Sequence, residues 1–353
     1  MAKNIVIFSD GTGQDGGEGY STNVYKLFNM IENRTNNQIA FYDRGLGTGW
    51  RKISGNAFGV GISKNVRDCY QFLFENFQAD DRVFLFGFSR GAFTVRSLSG
   101  FVDLIGILPK SRPELIKKAY KIYKMKDRTE KERKKKNDKL TQFKNAHHPM
   151  NCTIEFIGVW DTVRALGVPF KALEIINPFK NKFHNAKLCK NVLCGCHALS
   201  IDDERRVFHP TLWDEKNKDD RQEISQVWFA GVHTDVGGGY PEPGLSDITL
   251  KWMVAKAEAK KLLIYPKHEI VIDPNPNDKM HNPFKKWGRM YRRKVRNCDA
   301  LTTKPVIHPS VLERDLDDKN KPGSKYKPWI LSSEYDIEPQ PVTAAAEKET
   351  VHE

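Results

Sequence analysis

Short, continuously apolar runs alternate along the chain with longer segments in which apolar residues recur at helical spacing. Five short runs rich in Val, Ile and Phe predict strands, at Asn4–Ser9, Gln38–Asp43, Arg82–Phe88, Thr153–Trp160 and Ser225–Val232. Several of them are continuously apolar, which is typical of strands buried on both faces. Helices are predicted between them, at Asn23–Glu32, Ile62–Phe77, Gly91–Leu104 and Leu245–Lys261. This alternation indicates an α/β fold, a mainly parallel sheet flanked by helices on both faces.

The 353 residues suffice for one large domain or two modest ones. We predict one domain over residues 1–335, with a helical insertion at 105–150 and a disordered tail at 336–353. No apolar run reaches the roughly 18–20 residues of a membrane span. The first predicted strand begins at Asn4, without the longer apolar stretch of a signal peptide. We therefore expect a cytoplasmic protein in the producing cell, with any export independent of a cleavable signal.

The net charge of +13 is concentrated in two segments. Lys110–Lys144 holds fifteen Lys and Arg against five acids, and Lys279–Lys304 holds nine against Asp299. An apolar stripe predicts that the first segment is helical and acts as a cap or a docking element. Either segment can be a solvated surface or a peripheral contact with an anionic membrane. Nucleic acid is disfavoured, because no aromatic-interleaved basic module is present.

Cysteine usage is ordinary for a reduced protein, with six in the chain. Cys189, Cys194 and Cys196, near His184 and His197, raise the alternative of a zinc site. Their spacing is not that of paired C-x2-C knuckles, so buried thiols are the favoured interpretation and no metal is expected.

The most specific chemical signal is Gly87-Phe-Ser89-Arg-Gly91, a G-x-S-x-G motif. It lies directly after an apolar strand and directly before a helix, which is the context of a nucleophile elbow. Such a turn is tight and needs small residues on both sides of the serine. Ser89 is therefore predicted to be a nucleophile exposed at the edge of the sheet.

A serine nucleophile needs a base and an orienting carboxylate, in the chain order Ser, acid, His for α/β hydrolases. Asp161 ends one predicted strand and His233 follows another, so both are expected at the carboxyl edge of the sheet. Competing candidates remain open: they are His197, His209 and His308 for the base and Asp235 for the acid.

The oxyanion hole is predicted from backbone N–H groups. Arg90, directly after the nucleophile, supplies one, and Gly11 or Thr12 in the glycine-rich loop after the first strand supplies the other. Asp10 is expected to organise that loop. The same loop matches a dinucleotide fingerprint, but the polar, glycine-rich residues after it do not open an apolar helix, so that hypothesis is weak.

Five motifs in order are similar to a family of α/β hydrolases that includes the first family of type VI secretion lipase effectors. They are Phe8-Ser-Asp-Gly-Thr-Gly, the Gly87 to Phe93 elbow, Gly158-Val-Trp-Asp-Thr-Val, His197 to Trp213, and Gly231 to Tyr240. The resemblance covers roughly residues 3–335. It implies the triad Ser89, Asp161 and His233, and a phospholipase A activity on glycerophospholipids.

The sequence therefore predicts an α/β-hydrolase-like serine esterase that needs no metal or organic cofactor. A glycerophospholipid is the favoured substrate. The alternatives are an esterase or thioesterase on a soluble substrate, and a catalytically idle binding module that uses its basic face.

Overall fold

The computed structural model of the protein describes residues 2–11, 19–45, 55–163, 187–285, 291–296, 303–315 and 325–339, with only the backbone for 55–60. Within these residues one parallel sheet has the order β2-β1-β3-β4-β5-β6-β7-β8. The strands are β1 (Asn4–Ser9), β2 (Gln38–Asp43), β3 (Arg82–Phe88), β4 (Ile154–Trp160), β5 (Val192–Ser200), β6 (Glu223–Phe229), β7 (Val306–Ile307) and β8 (Asp336–Ile337).

The strand order contains one reversal. The chain begins at β1, adds β2 on one side, crosses to β3 on the other side and then extends outward. The reversal creates a crevice at the carboxyl ends of β1 and β3, where open α/β sheets place their ligands. The first three strands have the bounds that the hydrophobic runs predict, and the predicted α/β-hydrolase-like fold is confirmed.

Helices cover both faces of the sheet. They are α1 (Asn23–Met30), α2 (Gly55–Asn76), α3 (Arg90–Ile105), α4 (Leu115–Tyr123), α5 (Glu130–His147), α6 (His233–Gly237), α7 (Gly244–Glu258) and α8 (Ser310–Glu313), with short 3₁₀ helices at Arg206–Phe208 and Trp329–Ser332. None of the helices in these described ranges is both long and apolar enough to span a bilayer.

Two hydrophobic clusters form the core, one on each face of the sheet. In β1, Val6 and Phe8 face the cluster that holds α1 and α7, whereas Ile5 and Ile7 face the cluster that holds α2, α3 and α4. All four side chains are fully buried. Continuous apolar runs in the sequence therefore correspond to strands covered on both sides.

Three segments differ from the sequence prediction. Strand β6 ends at Phe229 rather than at residue 232, because Gly231 has a positive φ of 112° and turns the chain out of the sheet. Strand β5 is absent from the sequence prediction, because its cysteines and histidine are also typical metal ligands. The tail was expected to begin at 336, but Asp336 and Ile337 form β8 and Glu338 is buried; residues 340–353 lie outside the described ranges.

The basic insertion contains α4 and α5. Helix α4 is amphipathic, and its Leu115, Ile116 and Ala119 are buried against the cluster beside α2 and α3. Helix α5 begins with a capping box between Thr129 and Glu132, and only Phe143 is buried along its length. The insertion is therefore an outer layer on the flank of the sheet. A role as a cap or as a docking element remains a prediction.

Candidate active site

Ser89 occupies a strained turn between β3 and α3. Its backbone has φ 56° and ψ −115°, a conformation that costs a non-glycine residue about 1–3 kcal/mol. Both flanking glycines are needed for steric reasons. A Cβ at Gly91 would lie 1.8 Å from the carbonyl oxygen of Ser9, and a Cβ at Gly87 would lie 2.7 Å from the backbone nitrogen of Ala92. These contacts explain why the motif has glycine at both positions.

Asp161 directly follows β4 and is fully buried. Its N–H donates to the carbonyl of Ala198 at 2.8 Å, and its φ of 38° turns the side chain out of the strand. Burial raises the pKa of the Asp161 carboxyl, but the charge and hydrogen bonds of Arg296, with the hydrogen bond from His233, outweigh burial. The pKa is held well below its usual range, so Asp161 is ionised at neutral pH.

His233 begins α6, four residues after β6 ends. Its Nδ1 lies 2.6 Å from Oδ2 of Asp161, and its backbone N–H donates to Oδ2 of Asp203 at 3.1 Å. The imidazole packs between the rings of Phe88 and Phe208, with centroid distances of 4.6 and 5.1 Å. Burial lowers the pKa of His233 despite the attraction of Asp161, so the ring is neutral and can accept a proton.

The serine and the Asp161–His233 pair lie at the same edge of the sheet. The N–H of Ser89 donates to the carbonyl of Trp160, the residue before Asp161, at 3.1 Å. Phe88, the residue before Ser89, packs on His233. Among the hydrogen bonds of the described residues, none joins the Ser89 hydroxyl to His233. Such contacts are often long in enzymes without substrate and tighten when substrate binds.

Arg296 is a residue of this site that the sequence did not reveal. It lies within the basic segment Lys279–Lys304, yet its side chain is buried and its guanidinium donates to both carboxylate oxygens of Asp161, at 2.6 and 2.9 Å. No local motif marks this arginine, because its partner is 135 residues away in the sequence. The expectation that the whole segment is a surface patch is therefore wrong at this position.

The two predicted oxyanion donors that the structure describes, Arg90 and Gly11, have different surroundings. Arg90 opens α3 directly after Ser89, so its N–H belongs to the first turn of that helix, which is the position expected of an oxyanion donor. The N–H of Gly11 instead donates to Oδ1 of Asp10 at 2.6 Å, so it is engaged within the loop. Thr12 lies outside the described residues, as does the rest of the dinucleotide-like pattern.

Asp10 bonds the segments around the loop after β1. Its Oδ2 accepts hydrogen bonds from the hydroxyls of Thr22 and Tyr42, at 2.5 and 2.7 Å. Burial raises its pKa to about 6, although these hydrogen bonds act in the opposite direction. Thr22 also caps α1, so Asp10 ties the loop both to this helix and to β2.

The competing histidines have other partners. His197 is fully buried on β5, where its Nε2 accepts the N–H of Thr162 at 3.1 Å; burial lowers its pKa to about 3. His209 contacts the carbonyl of Lys294, and His308 contacts the hydroxyl of Ser310. None of these rings is paired with Asp161.

The competing acid, Asp235, also has a different partner. Its Oδ1 lies 2.7 Å from Nδ1 of His281, and its Oδ2 accepts the N–H of Val232 at 2.9 Å, which stabilises the start of α6. Asp161 is therefore the carboxylate that contacts His233.

The cysteine cluster is split by the sheet. Cys194 and Cys196 project from β5 into the cluster that holds α1 and α7, whereas Cys189 packs on the opposite face beside Ser99. His197, one residue after Cys196, also points to the opposite face, beside Trp213. Within the described residues no group of three or more such side chains could hold a metal ion; His184 lies outside these residues.

A cavity of about 560 Å³ lies near the site, although Ser89, Asp161 and His233 are not among its lining residues. One of its lining residues, Tyr291, has its ring 5.8 Å from the ring of Phe208, which packs on His233. The lining includes apolar, amide and cationic groups: Asn282, Phe284, Lys285, Tyr291 and Arg293.

A strained serine turn after a central strand, with a buried Asp–His pair at the same sheet edge, defines an α/β-hydrolase-like protein. Residues 3–256 match the family described as the type VI secretion system phospholipase effector Tle1-like catalytic domain. The chain belongs to this family, and membership indicates a hydrolase of the lipase or esterase type.

Individual relatives are more distant. An uncharacterised protein of Saccharomyces cerevisiae is 30% identical over 226 residues, which cover 58% of this chain and 32% of that protein. The chain thus spans about a third of the length of this relative.

Solved structures match the chain at low identity and low TM-score. An uncharacterised protein from Pseudomonas aeruginosa has 15% identity and a TM-score of 0.42, covering 78% of this chain and 49% of that one. The Tle1 effector bound to the VgrG spike has 18% identity and a TM-score of 0.38, and the match covers 69% of this chain and 52% of that one. Esterase 2 of Thermogutta terrifontis has 11% identity and a TM-score of 0.38, and the match covers 75% of this chain and 86% of that one. All these TM-scores lie below 0.5, so the assignment rests on the family match.

Proposed function

We propose that this chain is a serine hydrolase of carboxylic esters, acting as a phospholipase A-type enzyme on glycerophospholipids. The observation that carries the proposal is the buried 2.6 Å hydrogen bond between Asp161 and His233, at the sheet edge where the Ser89 turn lies. A neutral imidazole held by an ionised carboxylate is the base that a serine nucleophile requires.

The proposed reaction has two halves. Ser89 Oγ attacks the ester carbonyl while Nε2 of His233 takes the hydroxyl proton, and the imidazolium then gives that proton to the departing alcohol. A water molecule, deprotonated by the same nitrogen, hydrolyses the acyl-enzyme. Asp161 holds the proton of His233 on Nδ1 throughout. The N–H of Arg90 stabilises the oxyanion, and Thr12 is the remaining candidate for the second donor because Gly11 is engaged.

The cavity beside the site supports a lipid ester as substrate. Its volume lies within the roughly 300–1,000 Å³ typical of ligand pockets. Phe284 and Tyr291 offer apolar surface for an acyl chain, and Lys285 and Arg293 offer positive charge for a phosphate. Arg293 also lies 3.6 Å from Glu204, so its charge is partly balanced.

The flank of the molecule supports a contact with an anionic membrane. Helix α5 is exposed along most of its length, and its basic residues include Lys134, Lys135 and Lys139, all exposed. Each such side chain near an anionic bilayer contributes about 1 kcal/mol to binding. Arg296 does not contribute to such a surface, because it is buried at the site.

The test is fatty-acid release from vesicles of phosphatidylcholine and phosphatidylglycerol by the wild type and by Ser89→Ala. A matched control is Ser97→Ala, a buried serine further along α3. p-Nitrophenyl butyrate and a fluorophosphonate probe are run in parallel. Release that is lost in Ser89→Ala and kept in Ser97→Ala supports the proposal.

Two other outcomes would contradict parts of the proposed function. Cleavage of the soluble ester without fatty-acid release removes the phospholipid and keeps the serine esterase. A folded wild type that cleaves neither substrate and does not react with the fluorophosphonate favours a binding module in which the site is idle.

A further inference from the structure

Arg296 is a buried cation whose hydrogen bonds are all satisfied by acceptors around His233. Nε donates to the carbonyl of Asp203 at 2.9 Å. One terminal nitrogen donates to Oδ1 of Asp161 and to the carbonyl of Ser200, both at 2.6 Å. The other donates to Oδ2 of Asp161 at 2.9 Å and to the carbonyl of Phe208 at 2.6 Å. A guanidinium has five N–H groups, so every one has an acceptor.

Each of these partners also touches the Asp161–His233 pair. The Oδ2 of Asp161 is the atom that His233 Nδ1 contacts. The N–H of Ser200 donates to Oδ1 of Asp161 at 3.1 Å. Asp203 accepts the backbone N–H of His233, and the ring of Phe208 packs on its imidazole. The Arg296 side chain therefore connects Asp161, which orients the imidazole of His233, to Asp203 and Phe208, which lie around that imidazole.

The charges that face His233 come from several elements. Asp161 follows β4, Asp203 follows β5 and is paired with Arg205, and Arg296 lies in the C-terminal part of the chain. Asp235 on the same helix is hydrogen-bonded to His281 instead. Two anions and two cations therefore surround a neutral imidazole. Without Arg296, Asp161 would be an uncompensated buried charge that strongly favours a protonated imidazole.

We propose that Arg296 is a positioning residue of the Asp161–His233 pair: it fixes the carboxylate on Nδ1 and offsets part of its charge, so that the imidazole stays neutral and available to Ser89. This inference rests on the proposed serine hydrolase function, and it makes Arg296 act through Asp161 rather than on the substrate.

The experiment compares Arg296→Met, which removes the positive charge, with Arg296→Lys, which keeps the charge but loses the bidentate hydrogen bond to Asp161. Arg314→Met is the matched control, because Arg314 is also buried and bonds the carbonyls of Pro276 and Asp278. Two measurements are made on each folded variant. One is kcat/KM for p-nitrophenyl butyrate against pH; the other is the titration of His233 by NMR of ¹⁵N-histidine-labelled protein, assigned with His233→Gln.

The inference expects both midpoints to rise by about one pH unit or more in Arg296→Met, since a nearby positive charge no longer disfavours the imidazolium. Arg296→Lys should keep the wild-type midpoint but lose about tenfold or more in kcat at unchanged KM. Arg314→Met should lower thermal stability without moving either midpoint.

Unshifted midpoints in Arg296→Met would overturn the inference and leave Arg296 a structural residue; so would wild-type kcat in Arg296→Lys. If Arg296→Met does not fold, the kcat of Arg296→Lys decides alone. The NMR titration needs no turnover. A shifted His233 titration in a protein that cleaves no ester would support the role of Arg296 and contradict the proposed function.

Discussion

Replacing Asp161 by Asn tests the carboxylate that is hydrogen-bonded to both His233 and Arg296. Oδ1 of Asp161 accepts from Ser200 and Arg296, and Oδ2 accepts from His233 and Arg296. Every neighbour of the carboxylate is a donor. An amide NH₂ therefore meets a donor whichever way the asparagine is turned. When it faces His233, the imidazole can accept at Nδ1 only by carrying its proton on Nε2, where it cannot take the proton of Ser89.

The expected cost in rate follows from this wrong tautomer. Loss of the orienting carboxylate in a serine triad lowers kcat by about 10⁴, which corresponds to about 5 kcal/mol in activation free energy. The fold is affected separately, because Arg296 loses its anionic partner in a fully buried place. Breaking such a pair costs about 3–5 kcal/mol of the free energy of unfolding, which is within the total stability of a typical domain.

The two effects can be separated by measuring both. Urea unfolding gives the stability of Asp161→Asn, and kcat/KM for p-nitrophenyl butyrate is measured well below its melting temperature. Asp235→Asn is the control, because this carboxylate is bonded to His281 and should change the rate by less than about tenfold. A folded Asp161→Asn with a rate within tenfold of the wild type would refute the argument, and so would an equal loss in Asp235→Asn.

Three further predictions use other parts of the structure. Gly91→Ala should lower the free energy of unfolding by about 3 kcal/mol, because its Cβ would lie 1.8 Å from the carbonyl oxygen of Ser9; an unchanged urea midpoint would contradict this close approach. Burial lowers the pKa of His233, so kcat/KM should fall on the acid side with a midpoint below the ordinary value of 6.5; a pH profile with its midpoint above 7 would disprove a neutral, buried base. Neutralising the run from Arg133 to Lys136 should weaken co-sedimentation with anionic vesicles in a salt-dependent manner while leaving hydrolysis of a soluble ester unchanged, and vesicle binding at the wild-type level would mean that α5 is only a solvated helix.

Local signals in the sequence were sufficient for the central strands and the serine turn. The bounds of β1, β2 and β3 match the apolar runs, since each run is short and rich in apolar residues; β1 and β3 are buried on both faces, and the edge strand β2 is partly buried. The turn at Ser89 follows from glycines whose absent side chains make room for neighbouring backbone. These features depend on residues near one another in the chain.

Three strands lack a clear local pattern in the sequence. Strand β5 contains two cysteines and His197, which are typical metal ligands but here are buried in the core. Its sequence therefore does not indicate a strand clearly. Strands β7 and β8 have only two residues each, which is too short for a pattern to be visible. Their stability comes from pairing with β6 and with each other rather than from their own sequence.

The sequence by itself determined the fold class, the nucleophile turn and the chain order of the candidate serine, acid and base. Only the tertiary structure decided which carboxylate meets His233 and that Arg296 lies against it. Asp161 is 72 residues from His233 and 135 from Arg296. Steric and hydrophobic patterns act over a few residues, whereas these hydrogen bonds form only when the parallel strands bring their carboxyl ends to one edge and the segment with Arg296 packs against it.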